Sequence, residues 1–233
     1  FRANGDPQYV VFIDGYFCFT TDQNKFGISA LNDGTSYNAL DFGSAESNPD
    51  DVVAPFVHKN QLFIAGTRTL ESFTNIGGSD FPFVRSGLFF DQGLSAPFSR
   101  ISGEGMYMFV GAGENEDPAV WGLDGNSTVK VSTQAIDNLL QKLTSEELSN
   151  VFSWSYGQSG HYFVGFVLPT TTVVFDSATG RWHERSSRVS RSDGTYDDLT
   201  YRITDVVSVY GELYIGDSLD GRIGTLSLLK YME

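Results

Sequence analysis

One pattern returns five times along this chain: an apolar strand, a turn carrying Gly or Asn, and an aromatic-rich strand leaving it. The five copies are YVVFIDGYFCFTT (9–21), VVAPFVHKNQLFIAG (52–66), FSRISGEGMYMFVGA (98–112), FSWSYGQSGHYFVGFVL (152–168) and ITDVVSVYGELYIGD (203–217). Their turns fall at Asp14-Gly15, Lys59-Asn60, Glu104-Gly105, Ser159-Gly160 and Tyr210-Gly211, about 45 to 55 residues apart. A lone hairpin is marginal in water and must gain strands or a packed face. A repeat of this length is that of four-stranded propeller blades. Each hairpin is followed by a shorter, more polar stretch (KFGISAL, TLESFTN, AVWGLDG, TTVVFDSATGRWHE, RIGTLSL) that can supply the remaining strands. We therefore expect an all-β fold, a β-propeller-like array of about five antiparallel blade-like units with one inserted helix, forming a single domain over residues 1–233. The units share no strict motif, and a β-sandwich with long loops is the alternative.

The stretch VVFDSATGRWHERSS (173–187) shows how such a unit closes. Asp176 and Thr179 can hydrogen-bond their own backbone, and Gly180 supplies the positive φ of a tight turn. Trp182 then packs its ring on the neighbouring sheet face. One segment breaks the β pattern. STQAIDNLLQKLTSEELSN (132–150) sets Ile136, Leu139, Leu140 and Leu143 at helical spacing. Ser132 or Thr133 can cap its start, and Thr144 with Glu147 forms a capping-box pattern for a second short turn. Asp137 and Lys142 fall off the apolar stripe, which makes them candidates for contact with a partner.

Catalytic chemistry is scarce. The 3 histidines, His58, His161 and His183, stand far apart and in no metal-ligand spacing. Phosphate loops, paired cysteines and Gly-x-Ser-x-Gly are absent. The acidic runs ESNPDD (46–51), ENED (114–117), DGTYDD (193–198) and DSLDG (217–221) match no calcium loop. The order Asp176-x-x-x-Gly180-x-Trp182 also departs from the sialidase-type Asp box. Solvated acidic turns are the simpler reading, and no cofactor, metal or enzymatic activity is expected. A carbohydrate-binding or glycoside-hydrolysing propeller remains the alternative, resting on loops rich in aromatics and acids.

Charge and composition narrow the partners. A net charge of −14 repels phosphate backbones, so sequence-specific nucleic-acid binding is not expected. Such a surface keeps a β-rich protein soluble and also suits a passage along which DNA slides without sticking. With 19 Phe and 11 Tyr a sizeable core is available. No apolar run approaches the roughly 20 residues of a membrane helix, so no membrane is expected among the partners. Cys18 is alone, excluding an internal disulfide, and reads as a small buried hydrophobe. Asn126-Ser127-Thr128 is a glycosylation sequon without a secretory context. No signal-peptide pattern is present, and the start at Phe1 leads us to expect a piece of a longer protein.

Two loops stand out. DFGSAESNPDDVVAPF (41–56) is long and polar, and SFTNIGGSDFPFVRSG (72–87) has Gly77-Gly78 for sharp turns. In the second, Phe81 and Phe83 flank Pro82, and either tuck under a blade or form an exposed anchor for a partner.

The long phrase LNDGTSYNALDFGSAESNPDDVVAPFVHKNQLFIAGTRTLESFTNIGGSDFPFVR resembles the packaged-DNA stabilisation proteins of short-tailed bacteriophages. These are the tail-hub, or head-completion, proteins of the Salmonella podovirus type. VSTQAIDNLLQ and VVFDSATGRWHERSS resemble the same family, so the likeness spans roughly residues 9 to 230. The resemblance implies a structural virion protein without catalytic residues, assembled in the host cytoplasm into a six-fold ring of the tail. It implies portal and adaptor proteins, the tail needle and the tailspike as partners, and a role in retaining the packaged genome. A fragment alone would be expected to be monomeric if it lacks the ring-forming parts.

Overall fold

The computed structural model describes residues 4–44, 50–78 and 81–227. Among these the strands form five antiparallel sheets. Sheet 1 has β1 (Pro7–Ile13), β2 (Tyr16–Thr21), β3 (Lys25–Ala30) and β4 (Asp33–Ser44). Sheet 2 has β5 (Val52–His58), β6 (Gln61–Gly66), β7 (Leu70–Asn75) and β8 (Phe83–Phe90). Sheet 3 contains β9 (Gly93–Leu94), β10 (Ile101–Ser102), β11 (Tyr107–Ala112), β12 (Ala119–Asp124) and β13 (Ser127–Lys130), with β9 pairing β11 off the main path. Two short helices follow, α1 (Gln134–Leu140) and α2 (Ser145–Ser149). Sheet 4 has β14 (Phe152–Gln158), β15 (His161–Val167), β16 (Thr172–Asp176), β17 (Arg181–Ser190) and β18 (Tyr196–Thr200). Sheet 5 has β19 (Ile203–Val209), β20 (Glu212–Asp217) and β21 (Ile223–Thr225). Within each sheet, β9 apart, strands consecutive in sequence are hydrogen-bonded neighbours.

The turn chemistry read from the sequence sets these registers. Four of the five hairpin turns are two-residue loops with both residues at positive φ: Asp14 and Gly15 (50° and 86°), Lys59 and Asn60 (48° and 60°), Ser159 and Gly160 (53° and 81°), Tyr210 and Gly211 (53° and 81°). This backbone matches the right-handed twist of paired strands. The third hairpin, β10–β11, is longer, and there Gly105 takes the positive φ at 81°.

The chain divides into two compact units. The first comprises residues 1–97 and 109–142, the second residues 98–108 and 143–233. In the first, Ile13, Cys18, Phe26 and Ile28 of sheet 1 pack on Leu62, Ile64, Phe73 and Phe83 of sheet 2. The opposite face of sheet 2 is also covered, with Phe63 stacked on Phe56 at 5.1 Å and Phe56 near Phe109. In the second unit, Trp154, Tyr156, Val167 and Val174 of sheet 4 meet Ile203, Val206, Leu213 and Ile215 of sheet 5. Trp154 lies across Gly165, where a Cβ would come within 2.3 Å of its ring, so this strand position admits only glycine.

The inserted helix is two helices. Thr144 is extended (ψ 162°) and starts α2 with the expected capping box, accepting from the Glu147 N–H while Glu147 accepts from the Thr144 N–H. Among the described residues no helix is long and apolar enough to cross a membrane.

Candidate functional site

The aromatic pair of the second loop is placed by the turn that precedes it. Gly77 and Gly78 adopt φ of 69° and 124°, and the Ile76 N–H donates to the Pro82 carbonyl at 2.9 Å, folding the chain back. Asn75 braces the entry, accepting from Gly77 N–H at 2.9 Å and donating to Asp14 at 3.1 Å. The return directs Phe83 into the core, where it is 3% exposed. Phe81 is half-buried against Phe26, with ring centroids 5.4 Å apart. Of the two arrangements open in the sequence, the pair adopts the tucked one, and among the described residues of the stretch Ile76 and Val84 are the exposed large hydrophobics. Residues 79 and 80 of this loop and 45–49 of the polar loop, including the start of the ESNPDD run, lie outside the described residues.

Asp137 corrects the expectation drawn from helical spacing. It is buried on α1 rather than exposed, at 1%. Ser132 donates to its Oδ1 at 2.5 Å and Lys130 pairs with its Oδ2 at 2.6 Å, while Ser132 Oγ accepts from Val120 N–H at 3.0 Å. The stripe misleads because α1 is only 7 residues long: Ile136 and Leu140 are buried, Leu139 is half-buried, and a paired carboxylate completes the inner face. Lys142, beyond the end of α1, is exposed as expected.

Many of the described acids in these runs are held in turns and ion pairs. Asp50 accepts from the backbone N–H of Thr67, Arg68 and Thr69, and from both threonine hydroxyls, fixing the β6–β7 turn. Glu116 accepts from Gly113 N–H, Arg188 and Arg191 pair with Asp198 and Asp197, and Arg202 pairs with Asp217. Arg202 is thereby occupied in a groove of about 400 Å³ lined also by Pro169, Leu199 and Leu219.

Asp176 closes its hairpin through its own turn: it accepts from Ala178 N–H at 3.1 Å and from Thr179 Oγ1 at 2.8 Å, and Gly180 takes φ 65°. Thr179 thus bonds the Asp176 carboxylate rather than its own backbone, and Trp182 packs on its cross-strand partner Phe175, at 5.3 Å, within the same sheet. His161 Nδ1 adds a third contact at 2.8 Å. Burial pushes the Asp176 carboxyl up, but the bonds from Thr179, His161 and Ala178 outweigh it, leaving its pKa below the ordinary value. The fold also brings together two histidines that are distant in sequence, His161 and His183 both contacting the Phe163 ring. Burial, then the neighbouring Arg185, lowers the His183 pKa, and Arg185 Nε donates to its Nε2 at 3.1 Å. Arg185 itself lies among Phe163, Tyr156, Tyr201 and Trp154, 4.4 to 5.9 Å from the ring centroids, and bonds the Tyr156 hydroxyl. The sequence does not announce this box, since its members come from β14, β15 and β17 and from Tyr201, between β18 and β19. Among the described residues no group of three or more His, Cys, Asp or Glu could hold a metal ion.

Solved structures similar to the chain include BamB from Moraxella catarrhalis (10% identity, TM-score 0.48, 93% of this chain and 68% of that one). Others are the Cps50 (Swd1) β-propeller domain from Myceliophteria thermophila (11%, 0.44, 91% and 63%) and the computationally designed Ika8 protein (12%, 0.48, 94% and 57%). No curated protein sequence matches. A profile of the phage stabilisation family, described as "Bacteriophage P22 Gp10, beta-propeller", matches residues 3–229. The chain belongs to this family. It is thus a bacteriophage structural protein of the head-completion and DNA-stabilisation type, a virion component with a β-propeller fold. That assigns the five meander sheets as blades and sets aside the sandwich alternative.

Proposed function

We propose that this phage stabilisation protein serves in the tail hub, completing the head after DNA packaging and helping to retain the genome. In this reading it forms a six-fold homo-oligomeric ring, assembled in the host cytoplasm, that links the portal and its adaptor to the tail needle and the tailspikes. It acts by occupying space and making contacts, without turning over a substrate. The observation that carries the reading is the family match over residues 3–229, nearly the whole chain. Physical chemistry supports it: the net charge of −14 disfavours adhesion to a DNA backbone passing nearby. The acidic turns are braced by their own threonines, arginines and backbone N–H groups, which gives rigid loops on a β scaffold.

The test uses DNA-filled heads that carry portal and adaptor but lack this protein. Protein is added, and DNA release is scored as nuclease sensitivity beside untreated heads. Protection appearing only on addition is the expected result. Heads that neither take up the protein nor gain protection would overturn the reading.

A further inference from the structure

Sheet 1 presents an apolar face that is only partly covered: Tyr37 of β4 packs on Phe19 at 5.3 Å, and the side chains around them stay exposed. Register places Val10 beside Phe19, Phe12 beside Phe17, and Gly27 between Phe19 and Phe42, so these residues share the face opposite Ile13, Cys18 and Ile28. Val10, Phe12, Phe17 and Phe42 are 60%, 58%, 42% and 38% exposed. The strand YVVFI is apolar on both faces, which is the signature of a strand buried on both sides. Sheet 2 shows that outcome within the same chain, where Leu62, Phe63, Ile64 and Ala65 of β6 are all buried.

Sheet 5 carries the counterpart. Val207 pairs Tyr214 and Ile223 pairs Gly216, so Val207, Tyr214 and Ile223 lie together opposite the packed Val206, Leu213 and Ile215. All three are exposed. Charge is complementary as well. Lys25 lies over Phe42 on the sheet 1 face, and Glu212, two residues before Tyr214 on β20, shares the sheet 5 face. Neither makes an ion pair among the described residues.

We propose that these faces meet between copies, the outer face of sheet 1 in one copy packing on the outer face of sheet 5 in the next. Taking about 200 Å² for a whole aromatic residue and less for valine, the four exposed side chains of sheet 1 offer roughly 350–400 Å² of apolar surface. A standard interface buries about 800 Å² per partner, somewhat over half of it apolar, or about 450 Å². The face therefore supplies most of the apolar share that a stable contact needs. A contact joining two different faces is heterologous and builds a closed ring or a filament. The assignment rests on the reading of the chain as a subunit of a ring, and it names the surfaces that join the subunits.

Sedimentation velocity of the 233-residue chain tests it without phage heads. Wild type is expected to associate with rising concentration, and more strongly at high salt, which screens the repulsion between copies of charge −14. Phe12→Glu and Ile223→Glu should each weaken association at least about tenfold, a 1.4 kcal/mol effect, with melting temperatures unchanged because both side chains point away from their cores. Mixed one to one, the two variants should form dimers and nothing larger, since each retains one intact face. Val10→Lys replaces Phe12→Glu if the latter melts early. A monomeric wild type, or a variant that associates as wild type does, overturns the assignment. The nuclease test on heads reads the tail-hub role separately, so either can fail alone.

Discussion

Phe83→Ala is the perturbation that best separates a core residue from an interface anchor. Phe83 closes the floor between sheets 1 and 2, in edge contact with Tyr16 at 5.8 Å and packed with Ile13, Phe26 and Phe73. Removing a fully buried Phe costs about 3–5 kcal/mol, a transfer term plus a residual cavity. In a chain of this size each kcal/mol moves the melting temperature by about 2–4 °C, so a fall of about 6–20 °C is expected. Phe81→Ala removes a half-buried ring and should cost less than half as much. The assay is urea and thermal unfolding of both variants beside wild type, followed by uptake onto phage heads. If Phe83→Ala melted within about 1 kcal/mol of wild type yet lost uptake, the core placement would be refuted.

Other expectations follow from the same packing. Asp137→Ala strips the carboxylate from Ser132 and Lys130 and should cost about 2–4 kcal/mol, whereas Lys142→Glu should stay within about 0.5 kcal/mol; equal urea midpoints would contradict this contrast. Burial, then the charge of Asp14, pushes the Cys18 thiol up to about 12, so a thiol reagent at pH 8 should modify it only as fast as the unit opens, and immediate labelling of native protein would contradict its burial. Asp176 and Asp217 have folded pKa values below the ordinary carboxyl value, Asp217 chiefly through the bond from Arg202. They bind fewer protons folded than unfolded, so their stabilisation is present above about pH 4 and lost as pH falls through the folded values. The urea midpoint should drop on acidification below that point, and the Arg202→Ala variant should lose part of the dependence.

Hairpins and their turns were legible because both signals are local. Two-residue turns with positive φ require particular residues, and strand alternation is read directly from the chain. The Asp176 turn was legible for the same reason, all its donors but His161 lying within four residues. Asp137 was misplaced because helical spacing assumes a long helix with one apolar stripe. Here Lys130 and Ser132, from the end of β13 and the residues after it, make a buried carboxylate stable. The direction of Phe81 and Phe83 was undecided in the sequence, since only the fold-back at Ile76 and Pro82 sends them inward. Arg185 and its four rings come from β14, β15, β17 and the link between β18 and β19, and no spacing along the chain announces them.

The central claim, a phage stabilisation protein working at the tail hub, is tested most directly by imaging. Cryo-electron microscopy of DNA-filled heads with and without the added protein yields a difference map at the portal vertex. Ring-shaped density of six-fold symmetry on the tail axis, beyond the portal and its adaptor, is the predicted result. Absence of added density there, or protein found only on the capsid surface, would contradict it.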